Sequence, residues 1–179
     1  MKRKFLIPFG ETSGQSIDYL LGIIEDARMT TLLYTRDIST EELHWQYAPG
    51  WNTIGALLSH ITSAGHYFRI HFIEGKEWTA SEEKEFLPGM EMGKYLPQLI
   101  TNEPIAVYQE RLAIARNLLE DAIRRLSVEK FHERRDGYNK ETGCNLAWVL
   151  YHLAEDEVHH RGQISLIRKL YKHKLGKQS

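Results

Sequence analysis

Cysteine is nearly missing from this chain of 179 residues: Cys144 stands alone, so no disulfide can form within one copy. Proline is scarce, with five residues, and Pro88 and Pro97 both fall in one irregular stretch between Ser81 and Ile100. No charge of one sign dominates. The 23 basic residues against 24 acidic ones leave a net charge of -1, which gives no electrostatic footprint for nucleic acid. Long apolar runs are absent too: nothing approaches the roughly 18–20 residues of a membrane span. The N-terminal "MKRKFLIPFG" is basic and then briefly apolar, but the run before Gly10 is too short for a signal-peptide core. These absences lead to the expectation of a cytoplasmic protein, one domain over residues 1–179, with neither nucleic acid nor membrane as partner.

What is present is helical periodicity. Ile17, Leu20, Leu21, Ile24, Ala27, Thr31 and Leu32 keep helical spacing over about Gln15–Arg36. A second pattern runs from about Asn52 to Glu74, with Asn52 or Thr53 as N-cap, and Gly75 to end it. Its stripe is Ile54, Leu57, Ile61, Ala64 and Phe68. Between Ser81 and Phe86 a short helix is expected. A third long helix starts near Pro104, a good first-turn residue, and runs to about Leu126. A fourth runs from about Thr142 to Tyr171. Strand content is not expected, even at Trp45–Tyr47. The fold class read from this is all-α, a four-helix bundle with a long crossover connection.

The fourth helix carries the informative anomaly. On a wheel of about 100° per residue, Val149, Leu153, His160 and Ile167 fall within roughly 20° of one line. Asp156 lies about 40° to one side of it and Ile164 about 40° to the other. A carboxylate and an imidazole thus sit in the apolar stripe, one turn apart, where both reach a single point. Such a pair serves either as a buried ion pair or as two ligands of one metal ion. A third ligand would come from the second helix. His60 lies at the edge of its stripe; His71 is nearly in line with it but about 16 Å further along; His66 points away. His152 precedes Asp156 by one turn and could be a ligand, a support for the ligands or a pocket-wall residue; its position about 80° off the seam favours the support. His159 and Arg161 read as helix surface, and Glu155 and Glu157 as poorer ligands.

Two segments together resemble a known family. "WNTIGALLSHI", with its lead-in "ISTEELHWQYAPG", and the later "YHLAEDEVHHRGQISLIRKL" are similar to the DinB/YfiT-like family of metal-dependent enzymes. The resemblance extends from about Ile17 to Leu170. It implies a four-helix bundle with a long crossover. It also implies a divalent metal held by three histidines, one on helix two and two on helix four at i and i+4. His60 and His160 match two of these, and Asp156 stands where the third histidine is usual. One carboxylate beside two neutral imidazoles leaves a divalent ion with net charge near +1, a weaker Lewis acid, and suits zinc, nickel, manganese or iron.

By the same resemblance, the activity would be transfer of a low-molecular-weight thiol. Its thiolate, activated by the metal, attacks an electrophile, both thiol and electrophile are small-molecule partners, and His152 would orient Asp156 or act as a proton shuttle. Homodimers are common in the family. A metal-dependent hydrolase using the same residues and a non-catalytic bundle are the competing readings. Trp51, Tyr67, Trp148 and Tyr151 are candidates for the pocket wall, with core packing as the plainer role for at least two. Cys144, near the start of the fourth helix, is read as incidental.

Overall fold

The computed structural model describes residues 15–127, 130, 131, 133 and 144–176, and no strand occurs among them. In chain order the helices are α1 (Gln15–Thr35), α2 (Thr40–His44), α3 (Ile54–Tyr67), α4 (Ala80–Glu91), α5 (Leu96–Leu99), α6 (Ile105–Arg124) and α7 (Leu146–Gly176). A π-helical segment, Phe68–Ile73, continues α3, and a short 3-10 turn, Gly93–Tyr95, precedes α5. The four long helices α1, α3, α6 and α7 form the helical bundle. α1 packs on α7, and α3 packs on α4, α6 and α7. No helix among the described residues is long and apolar enough to cross a membrane.

The starts of these helices follow from local chemistry. Thr53 caps α3, its hydroxyl accepting from the Ala56 N–H at 3.0 Å. Pro104 is the residue before the third long helix rather than its first helical residue. The second long helix does not stay α-helical to Glu74: its last turn widens into the π-segment, which brings Phe68, Phe72 and Ile73 into one core cluster. The fourth runs past Tyr171 to Gly176, and its expected start at Thr142 lies outside the described residues.

The crossover is more ordered than its prolines suggest. In place of a short helix at Ser81–Phe86 there is a twelve-residue α4 with Pro88 inside it. Thr79 and Glu82 cap each other reciprocally at its start, two orphan N–H groups satisfied at once. This helix lies on α3, and so α3 is covered on all sides, with Ile54–Leu58 and Ile61–His66 all buried. Gly89 makes the approach close: a Cβ there would stand 2.2 Å from Ser63 Oγ and 2.8 Å from the Ser59 carbonyl oxygen.

The apolar core is in two parts. One gathers Leu21, Ile24, Ala64, Phe68, Leu119, Leu153 and their neighbours. The other gathers Ile38, Leu43, Leu57, Ile61, Leu112, Ile164 and Ile167. Between them, every long helix contributes a polar side chain: Arg28 from α1, His60 from α3, Arg116 from α6, and Asp156, Glu157 and His160 from α7. A polar layer thus crosses the bundle at one level, and the question of what holds it together is also the question of what it does.

Candidate metal centre

Half of the layer is structural. Glu157 is 2% exposed, and Arg28 Nε donates to its Oε1 at 2.8 Å. Arg28 Nη1 also donates to the Leu112 carbonyl at 2.7 Å, so one guanidinium ties α1 to both α6 and α7. Two buried charges are tolerable only because each is paired and hydrogen-bonded. Glu157, a poorer ligand on the helical wheel, is thus a buried partner of Arg28. Its mark in the sequence is Arg28, which sits inside the buried stripe of α1 beside Ala27 and one turn from Ile24.

The other half brings together His60, Asp156 and His160, each offering a ligand atom within 4.8 Å of the others. Asp156 Oδ2 is 3.6 Å from His60 Nε2, and Asp156 Oδ1 is 3.2 Å from His160 Nε2. The rings meet nearly edge to face, 4.7 Å between centroids. Two ligand atoms each about 2.0–2.1 Å from one tetrahedral ion stand roughly 3.3 Å apart, so these separations suit a shared cation.

The far side of each ring decides which nitrogen faces inward. His60 Nδ1 lies 3.0 Å from the Gly89 carbonyl, an acceptor only, so Nδ1–H donates and Nε2 keeps its lone pair. Gly89 is in the last turn of α4, where carbonyls lack helical partners, and so its oxygen is free for the imidazole. His160 Nδ1 donates likewise to Gln163 Oε1 at 3.0 Å. The Gln163 amide is itself oriented, its Nε2 donating to His159 Nε2 at 2.9 Å. Both imidazoles thereby turn an Nε2 lone pair toward the same carboxylate, which is how metal-binding histidines are held. Gln163→Leu is therefore expected to weaken zinc affinity about 10–100-fold with little change in melting temperature. Competition titration with a chromogenic chelator reads this out, and an unchanged affinity would show that Gln163 does not orient His160.

Where no cation is bound, a proton on the inward nitrogen of His60 pairs that ring with Asp156 instead. Burial alone would raise the Asp156 pKa, but hydrogen bonds and charge from His160 and His60 hold it well below the usual carboxylate range. Burial alone would lower that of His60; Asp156, aided by the Gly89 and Met90 carbonyls, outweighs it and the net shift is upward. Protons and a cation compete for the His60 lone pair, so cation affinity falls as pH falls through that raised value.

The remaining candidates are not among these three grouped side chains. His152 stacks on Trp148 at 4.8 Å between centroids and pairs through Nδ1 with Glu155 at 3.4 Å. His71 pairs with Glu77, and Arg161 donates to the Ala27 carbonyl. Tyr67 and Trp148 pack against the core, while Trp51 and Tyr151 are exposed. Cys144 is partly buried against the same core.

His66 is buried flat against Phe86, 4.1 Å between ring centroids, and its Nδ1 has no partner among the described residues. Burial, helped by the Arg69 charge and opposed by Glu82, pulls its pKa down from 6.5 to about 4. The unfolded chain then binds the proton more readily, so stability is intact above pH 6.5 and declines as pH falls toward 4. His66→Phe keeps the stack without the proton. Its melting temperature is expected to drop less than that of the wild type between those two pH values, and equal slopes would contradict the assignment.

A family model described as the DinB superfamily matches residues 23–164, a span that includes the whole trio. No curated protein matches the chain.

Proposed function

The chain belongs to the DinB superfamily, and on that footing we propose that it is a metal-dependent enzyme that transfers a low-molecular-weight thiol to a small electrophile. The metal reading rests on one observation: two imidazoles whose Nδ1–H groups are already engaged turn both Nε2 lone pairs toward one carboxylate. His60, Asp156 and His160 would hold the ion, and three protein ligands leave open the positions that a catalytic site needs. A divalent ion so placed supplies Lewis acidity, which lowers the pKa of a neighbouring thiol from its usual value of about 8.5. The thiol itself comes from the family resemblance.

The chain's own residues do the rest. Asp156 removes one unit of charge from the site and so moderates that acidity. The Gly89 carbonyl and the Gln163 amide fix the two rings without blocking their inward nitrogens. The two apolar clusters on either side limit the water that reaches the layer, where His60 and Asp156 are only partly exposed. His152, one turn from Asp156 and about one-fifth exposed, is assigned the passage of the thiol proton to solvent.

The test is a transfer assay with a chromogenic aryl halide and a panel of thiols, run on protein reconstituted with zinc, nickel, manganese or iron(II). The proposal expects turnover that requires both thiol and metal and is lost in His160→Ala. Hydrolysis of an activated ester without any thiol would select the hydrolase reading instead. Rates unchanged by His160→Ala would contradict any catalytic use of the trio.

A further inference from the structure

The polar layer holds one cation that neither the trio nor the Arg28–Glu157 pair uses. Arg116 of α6 is 7% exposed. Its Nε donates to Glu25 Oε2 at 3.3 Å and its Nη2 to the Leu21 carbonyl at 3.2 Å, with Glu120 3.7 Å away. Its Nη1 is buried and has no acceptor among the described residues. Buried guanidinium N–H groups are normally satisfied, because leaving one without an acceptor forfeits its hydration.

Arg116 also lines a cleft, and so do Asp156, Arg28 and Glu157. The other walls are apolar, among them Ile61, Leu119 and Leu153. The two guanidiniums in that cleft are not equally well paired. Arg28 is neutralised by Glu157 at 2.8 Å. The carboxylates near Arg116 are on its outer side, with Glu25 53% and Glu120 32% exposed, and water screens them. Asp156 is committed to the two histidines. What remains is an apolar slot with a metal ligand among its walls and an unsatisfied guanidinium nitrogen.

We propose that this cleft is where the substrate binds, and that Arg116 receives a carboxylate carried by the substrate through its free Nη1. A carboxylate fits better than a phosphate, because one free nitrogen and apolar walls offer a single charge-assisted bond and little else. The inference deepens the functional proposal and rests on it for the identity of the cleft's other end. Either the thiol or the electrophile carries the carboxylate, and the two sources give different results below.

The experiment is ligand-observed NMR titration of the full chain, metal-free and zinc-loaded, with acetate and mercaptoacetate against the neutral 2-mercaptoethanol. Acetate and mercaptoacetate are expected to bind at least tenfold more tightly than 2-mercaptoethanol to the metal-free protein. Arg116→Met is expected to abolish that preference and Arg116→Lys to reduce it, both with unchanged zinc content. Mercaptoacetate gaining over acetate on zinc loading puts carboxylate and thiol on one molecule. Equal affinity of the two acids assigns the carboxylate to the electrophile. Either result supports the role of Arg116. The inference is overturned if the wild type shows no preference for the acids in either form, or if both variants retain it. Failure of the metal reading looks different: the preference is present, but the protein takes up no zinc.

Discussion

Glu157→Ala is expected to destabilise the protein by about 3–5 kcal/mol, the usual cost of removing one partner from a buried ion pair. For a chain of this length that lowers the melting temperature by roughly 10 °C. The reason is what stays behind. Arg28 keeps its bond to the Leu112 carbonyl, but its Nε and its charge are left between two apolar clusters without an anion. The double variant Arg28→Met, Glu157→Leu removes both charges and keeps the volume, so it is expected to be more stable than the single one. Equilibrium denaturation in urea of the three proteins measures this. A cost below about 1 kcal/mol for Glu157→Ala would mean that water reaches the pair and that the layer is not dry.

Gly89→Ala is expected to act on both the fold and the site. The new Cβ would meet Ser63 Oγ, which can rotate away, and the Ser59 backbone oxygen at 2.8 Å, which cannot. α4 must then lift from α3, at a cost of about 1–3 kcal/mol for overpacking. The same movement takes the Gly89 carbonyl from His60 Nδ1, and losing such a support typically lowers metal affinity about 10–100-fold. The combination is the informative part. Pairing Gly89→Ala with Ser63→Ala removes the side-chain clash and leaves the backbone one, so both effects should persist. Full recovery of stability and zinc affinity in that pair would place the whole effect in the serine hydroxyl.

Much of this was legible in the sequence. The wheel line through Val149, Leu153, His160 and Ile167 is the buried face of α7, and Ile164 belongs to it as expected. His60 rather than His71 joins Asp156 and His160, because helical rise alone put His71 too far along. What the wheel could not supply was the width of the buried arc. α7 is packed by α1 and α3 at once, so Glu157, well off the central line, is as deep as the residues on it.

The supports of the two rings divide in the same way. Gln163 lies three residues after His160, a helical neighbour that spacing points to directly. The Gly89 carbonyl comes from a crossover helix whose position depends on a missing side chain and on tertiary packing, and no periodicity marks it. Arg116 carried a weaker signal: it is a charge next to Ala115 in the inward stripe of α6, and its depth shows only when α1 is laid against it.

On the proposed function, Asp156 and His160 turn into the bundle to hold a divalent ion with His60. Elemental analysis of untagged protein, wild type beside Asp156→Ala, tests it most directly. About one divalent ion per chain is expected in the wild type, from the cell or after incubation with zinc, nickel, manganese or iron(II), and none in the variant, with both proteins folded. A wild type that takes up none of these ions would contradict it and leave the trio as a buried ion pair.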